Sequence, residues 1–397
     1  MKVLIAIDSF KGSISSIDGS KAISLGIKDV DPDTEIVTLP LADGGEGTVE
    51  ALVQATEGRF VTREVIGPLH EKVDAVYGIL GDKKTAVIEV AAACGLPLVP
   101  SNKRNPFVTT TYGVGELICD AIDKGCREFV IGLGGSATND AGVGMLQALG
   151  FKFLDQYNEE IGWGGKELQN IHKIDVTDIH PELKACTFKV ACDVNNPLYG
   201  PNGAAYIFGP QKGATAEMIK ELDQGLETFA QSVLHELGID IHNIAGAGAA
   251  GGLGAAFAGF LHANLQSGIQ LILDLIAMEE KMQGADFVIT GEGRLDGQTS
   301  MGKAPLGVAQ LAHKHHIPII ALAGGISEDT SALNKLGITS YFSIMNAPMS
   351  LEEAMDSKVT FDNLRFTTKQ LFRLIRAVRP DSSSKSKRTL AVPLKNS

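Results

Sequence analysis

Five consecutive apolar residues, Val3-Leu4-Ile5-Ala6-Ile7, end abruptly at Asp8-Ser9-Phe10-Lys11-Gly12. An unbroken apolar run closed by polar and glycine residues predicts a strand buried on both faces. A helix is expected over residues 15–30 and a second strand over 35–39. The loop Ala42-Asp43-Gly44-Gly45-Glu46-Gly47-Thr48 follows, then a helix to about residue 56. This βαβα order implies a parallel sheet with its loops gathered at the carboxyl ends of the strands. The pattern returns late in the chain. Asp286-Phe287-Val288-Ile289-Thr290 reads as a strand, Gly291-Glu292-Gly293-Arg294-Leu295-Asp296 as its loop, and residues 299–315 as a helix. Strands at 318–322 and 341–344 complete the repeat.

The middle of the chain has a different texture. Residues 60–115 alternate like antiparallel strands, at 61–65, 73–77 and 85–90, and residues 170–215 are rich in loops. The expected architecture is therefore α/β, with a parallel-sheet domain built from both chain ends, residues 1–65 and 275–380. A mixed α/β domain, residues 66–274, is inserted between them. Two sequential domains are the alternative. Residues 381–397 are polar, basic and low in complexity, and a disordered tail is expected there.

Composition narrows the functional classes. A chain of 397 residues is too long for one ordinary core, which favours two domains. Its net charge of −12 argues against non-specific nucleic-acid or acidic-membrane binding. An acidic protein that takes an anionic ligand must concentrate its cations locally. The five cysteines include no CxxC pair, so reduced thiols are expected, without a disulfide framework or a zinc site. No signal peptide or convincing membrane span is visible, and a cytoplasmic protein is expected.

The densest chemical signal is Gly132-Leu133-Gly134-Gly135-Ser136-Ala137-Thr138-Asn139-Asp140, set between a strand pattern at 129–131 and a helix pattern from Gly142. Strand, glycine-rich turn and helix aim backbone N–H groups at one point. Ser136, Thr138 and Asn139 add side-chain donors, while Gly134 and Gly135 allow close approach, and the combination suits a phosphate. A capped strand-to-helix connection is the plain alternative. Two other matches carry less. Gly246-Ala247-Gly248-Ala249-Ala250-Gly251 fits GxGxxG but follows a poor strand, so close packing competes with a nicotinamide site. Residues 297–304 spell GxxxxGK with Ala304 where a hydroxyl is needed, which leaves Lys303 as a surface cation or a phosphate contact.

The loops after the parallel strands are more informative. Asp8, Asp43, Glu46, Glu292 and Asp296 lie on one expected rim, with Ser9, Lys11 and Arg294 beside them. Any one could be a cap or turn residue. Together they look like a site for a small polar anion and a divalent metal. Asp193-Val194-Asn195-Asn196-Pro197-Leu198 follows a strand in the same manner, so Asp193 is a candidate base or metal ligand and Asn195 and Asn196 candidate substrate contacts. An Asx-turn is the alternative there. Gly209-Pro210-Gln211-Lys212-Gly213 adds a rigid loop with a cation.

These loops, together with Gly246-Ala247-Gly248-Ala249-Ala250-Gly251-Gly252, occur in the order found in type I glycerate kinases of bacteria, and the chain resembles that family from Met1 to about Val378. Ile7 departs from the proline common there, and residues beyond Pro380 run past the family's usual end. The resemblance implies a flavodoxin-like domain with a second α/β domain inserted, and ATP-dependent phosphorylation of D-glycerate, with 2-phosphoglycerate the expected product. The 3-phosphate, another small-molecule kinase and a nicotinamide-dependent dehydrogenase are the alternatives. On that reading Mg²⁺ and the turn formed by Gly134, Gly135, Ser136, Thr138 and Asn139 hold the ATP phosphates, with Asp193 and Asp296 the candidate metal ligands. Lys11 and Arg294 neutralise anionic groups, and one acid among Asp193, Asp43 and Asp296 takes the hydroxyl proton. Asp8, Ser9, Lys11, Glu46, Asn195, Asn196 and Glu292 are the candidate substrate contacts. The expected partners are small molecules, with homo-oligomer formation left open.

Overall fold

The computed structural model describes residues 1–296, 303–327 and 332–378. The expected tail at 381–397 and most of the GxxxxGK stretch lie outside them. In chain order the first elements are β1 (Lys2–Ile7), α1 (Ser16–Lys28), β2 (Glu35–Thr38) and α2 (Thr48–Ala55). Strands β3 (Arg59–Ile66), β4 (Lys72–Ile79), β5 (Thr85–Glu89), β6 (Glu128–Gly132), β7 (Lys152–Leu154), β8 (Lys173–Asp175), β9 (Thr187–Ala191) and β10 (Asn264–Gln266) follow. The chain returns through β11 (Phe287–Leu295), β12 (Ile319–Ile326) and β13 (Ser340–Ser343), and a helix spans Ser357–Val378.

Two sheets organise the molecule. The first is fully parallel, in the order β13-β12-β11-β1-β2, and is made from both chain ends. Counted within this sheet, that is the 2-1-3-4-5 order of flavodoxin-like folds. The second sheet, β10-β9-β6-β5-β4-β3, is mixed. Strands β3, β4 and β5 pair antiparallel, whereas β5, β6, β9 and β10 pair parallel. The expected antiparallel character of the middle region thus stops at β5. The short β7–β8 and β10 had no periodic signal, being three residues each.

Apolar alternation explains how β1 is held. Val3, Ile5 and Ile7 face Ile23 and Ile27 of α1 and Leu364 and Phe372 of the last helix. Leu4 and Ala6 face the opposite way, into a core that also takes Leu52 of α2, Ile272 of the helix Gly268–Leu275, and Val87, Val130 and Ala191 of the second sheet. One apolar layer therefore binds the two sheets together. The other face of the second sheet buries a larger core containing Tyr77, Phe129, Phe188 and Phe257.

Residues 291–296 correct an expectation. Residues 291–295 are not a loop but the continuation of β11, paired to β12 as far as Leu295 opposite Ile326, and only Asp296 lies beyond the strand. Glycine is the reason. A Cβ on Gly291 would fall 2.3 Å from the Leu322 carbonyl oxygen, and Gly324 and Gly325 keep the partner strand equally bare. Glu292 and Arg294 consequently ride on a paired strand, with less freedom than a loop would give them.

The carboxyl ends of the two sheets meet backbone to backbone. Gly44 has φ +92°, and a Cβ there would lie 2.5 Å from the Ala191 Cβ. A Cβ on Gly268 would lie 1.9 Å from the Asp43 carbonyl oxygen. Gly268→Ala should therefore lower unfolding free energy by about 1–3 kcal/mol through forced separation of these segments. Gly325→Ala, whose added carbon meets only the Arg294 side chain at 3.8 Å, should stay within about 0.5 kcal/mol. Urea titration of both variants checks the contrast.

Candidate active site

Strand register decides which side chains share the rim. Ile7 pairs with Gly291, and the Asp8 amide donates to the Gly291 carbonyl at 2.9 Å, so Asp8 and Glu292 come out side by side beyond the sheet. Asp43 arrives from the turn after β2. The three acids open into a cavity of about 1210 Å³ whose lining also includes Ser9, Lys11, Glu46, Arg294, Asp296 and Lys303. These are the expected residues of the parallel-sheet rim, brought together, with Lys303 added.

Crowding among the acids acts on Asp8. Burial, then the Asp43 carboxylate, and further the Glu292 carboxylate raise Asp8 to about 7, against the Ser9 amide, which donates to Asp8 Oδ1 at 2.6 Å. Glu292 is nearly buried, with Lys303 Nζ 3.9 Å from its Oε2. Arg294 Nε lies 3.7 Å from Asp296 Oδ2, and an Arg294 amino group donates to Ser327 Oγ at 3.3 Å. Among the described residues, the cavity lining therefore holds Lys11, Arg294 and Lys303 among several acids.

Asp193 lies at the junction of the sheets. Its Oδ1 accepts from the Gly268 amide at 3.0 Å, beside the Asp43 loop. Burial of that carboxyl raises it above the ordinary range; the Gly268 amide opposes this and the Asp43 charge adds to it. Asp193, Asn195 and Asn196 do not line the large cavity, and Asn196 Nδ2 donates to the Asn202 carbonyl at 2.8 Å within its own loop. Among the described residues there is no group of three or more His, Cys, Asp or Glu that could hold a metal ion.

The glycine-rich turn divides into an open and a closed part. Gly134 and Gly135 are exposed, whereas Ser136, Thr138, Asn139 and Asp140 are buried. Lys212, itself buried, donates from Nζ to Ser136 Oγ at 3.0 Å and to the Thr138 carbonyl at 2.6 Å. Asp140 accepts from the Thr111 amide and hydroxyl, each at 2.8 Å. The hydroxyl of Ser136 thus faces inward, and the backbone of Gly134 and Gly135 is the part that meets solvent.

Residues 3–376 match the model of the glycerate kinase family. The chain is 49% identical to glycerate 2-kinase of Escherichia coli K12 over 364 residues, covering 92% of this chain and 95% of that protein. It is 50% identical to glycerate kinase of Bacillus subtilis 168 over 356 residues, covering 90% and 93% respectively. A crystal structure provisionally assigned as glycerate kinase 2 of Salmonella typhimurium LT2 superposes with a TM-score of 0.87 at 45% identity, over 95% of this chain and 99% of that one. The chain belongs to the glycerate kinase family.

Membership in a kinase family agrees with how the GxGxxG stretch is used. It follows no strand, and its glycines pack against backbone. A Cβ on Gly251 would fall 2.0 Å from the Thr138 carbonyl oxygen, and one on Gly248 would fall 2.3 Å from that of Pro197. The stretch supports the glycine-rich turn of this kinase from behind, and the nicotinamide alternative has no support.

Lys212 was legible only as a cation on a rigid loop; nothing in its spacing tells of its burial. Burial lowers its ammonium to about 8, with Cys94 and Asp140 opposing the shift. Lys212→Met keeps the volume but strands the Ser136 hydroxyl and the Thr138 carbonyl. It should reduce unfolding free energy by roughly 1.5–3 kcal/mol, read from the urea midpoint.

Proposed function

We propose that the protein transfers the γ-phosphoryl group of ATP to the 2-hydroxyl of D-glycerate, giving 2-phosphoglycerate and ADP. The observation that carries this reading is the convergence of Asp8, Asp43 and Glu292 with Lys11, Arg294 and Lys303 in one cavity at the carboxyl ends of parallel strands. Small anionic substrates of open α/β sheets bind there. Identity to a protein named glycerate 2-kinase supports the choice of hydroxyl.

Phosphoryl transfer asks for positioning, charge neutralisation and a proton acceptor. Lys11 and Arg294 bind the glycerate carboxylate and the transferring group. The substrate hydroxyl oxygen forms a bond to the γ-phosphorus while the bond from that phosphorus to the β–γ bridging oxygen breaks, and ADP leaves with the electron pair. The hydroxyl proton passes to a carboxylate. Asp8 joins Asp43, Asp193 and Asp296 as a candidate and suits the task best, because an acceptor is most effective when its pKa lies near the working pH. A magnesium ion bound with the nucleotide would neutralise phosphate charge, and Asp193 and Asp296 are the candidate carboxylates to hold it.

³¹P NMR of the product from ATP and D-glycerate tests activity and position together; a 3-phosphate resonance, or none, overturns the reading. Asp8 should also give kcat/KM that climbs with pH and levels off above about 7. The same carboxyl titrates in folding. Its native pKa is raised from 3.8 to about 7, so the native state holds a proton that the unfolded chain has released between those values. Stability therefore falls with rising pH across that window. Asp8→Asn should abolish turnover yet raise Tm at about pH 8, measured with a chelator present.

A further inference from the structure

The outer face of the β3–β4 ribbon is uncovered where it approaches the cavity. Val61, Ala75, Tyr77 and Ile79 point into the large core. On the opposite face, Phe60 lies across from Gly78, and Val76 across from Thr62. Helix α2 covers only part of this face: a Cβ on Gly78 would fall 2.4 Å from Val53 Cγ2 and 3.3 Å from Val49 Cγ1. Phe60 and Val76 are left 54% and 41% exposed.

They line a groove of about 530 Å³ together with Glu46, Glu50, Glu89 and Ala92. Ser9, Lys11, Ser13 and Glu46 line both this groove and the large cavity, so the two are confluent, and Lys11 stands at their junction. The open turn lies alongside. A Cβ on Gly134 would meet the Gly45 Cα at 3.0 Å, and one on Gly135 the Ala91 Cβ at 3.3 Å, so the turn packs beside Gly45, which lines the large cavity, and beside the neighbour of Ala92, which lines the groove.

We propose that this groove receives the base and ribose of the nucleoside triphosphate, the base against Phe60 and Val76 and the phosphates running past Lys11 and the Gly134–Gly135 backbone into the large cavity. This rests on the kinase reading above and adds a location and an orientation to it. Charge fixes the direction. Acids line both spaces, so the cations set it: Arg294 and Lys303 line only the large cavity and Lys11 its junction with the groove, whereas Glu50, which lines only the groove, can accept from ribose hydroxyls or an exocyclic amine. An exposed aromatic ring offers the π-face that a base stacks on. The Ser136 hydroxyl, turned inward to Lys212, is then an anchor of the turn and not a phosphate contact.

The test is ADP binding by calorimetry and ATP kinetics on Phe60→Ala, Phe60→Leu and Phe60→Trp, with Phe342→Ala as a control on another exposed ring. Leucine keeps apolar cover over Gly78 but loses stacking. Ala and Leu should weaken ADP binding and raise the KM for ATP roughly tenfold, and the KM for glycerate far less, with Trp restoring affinity. Equal ADP affinity, within twofold, across the parent and all three Phe60 variants overturns the site. If the parent turns over glycerate with ATP in that case, the kinase reading stands without it. If the parent binds ADP in a Phe60-dependent way yet forms no phosphoglycerate, the site stands and the glycerate reading falls.

Discussion

Asp43-Gly44-Gly45 presses its backbone against the end of the second sheet, and there is no room for a side chain between them. Gly132 at the end of β6, Gly134 just after it, Ala191 at the end of β9 and Gly268 at the start of its helix all come within a few ångströms of this one turn. The contact is what brings the carboxyl ends of both sheets to a common place. Without it, the apolar layer shared by Leu4, Val87 and Val130 would still join the sheets, but at a separation that side chains would set. With it, the Asp43 turn belongs to both halves, and the cavity, the groove and the glycine-rich turn become neighbours.

The parallel sheet was legible because its strands are buried on both faces and so read as unbroken apolar runs; β1 is the clearest case. Its rim acids were legible for a related reason, since polar residues that end such runs have to emerge at the carboxyl edge. Asp8, Asp43, Glu46, Glu292 and Asp296 indeed share one cavity. What failed to show was anything set by pairing across the chain. The extension of β11 through Gly291-Glu292-Gly293 looks like a loop until Gly324 and Gly325 lie beside it. The inward turn of Ser136 depends on Lys212, 76 residues away in sequence. Phe60 gave no signal either, because one face of a ribbon left bare looks, in sequence, like any half-buried strand.

Glycine density is the common thread behind those failures. A glycine that frees a turn, one that lets two backbones touch and one that opens a ligand site are the same letter. The stretch Gly246-Ala247-Gly248-Ala249-Ala250-Gly251 illustrates this, since its spacing imitates a dinucleotide fingerprint while its backbone packs on Thr138 and Pro197. Context separates the cases: a fingerprint requires a strand leading directly into it, and residues 238–245 before this stretch form none.

The crowding of acids at the rim is held in place by sheet register. Asp8 and Glu292 are adjacent because Ile7 pairs with Gly291, and a slip of one residue would send one carboxylate to the apolar face of the sheet. Left to themselves, Asp8, Asp43 and Glu292 would move apart or take up protons, and Asp8 does the latter near neutral pH. The cores on both faces of β1 oppose that relaxation, because moving the strand would expose Val3, Leu4, Ile5, Ala6 and Ile7 together. Each of those side chains is worth roughly 1.5–3 kcal/mol of burial when large, which exceeds the repulsion between partly screened acids. Packing therefore holds an electrostatically unfavourable arrangement that the chemistry can use: a carboxyl that gives and takes a proton at working pH, set beside cations that an acidic chain of net charge −12 has gathered in one cavity.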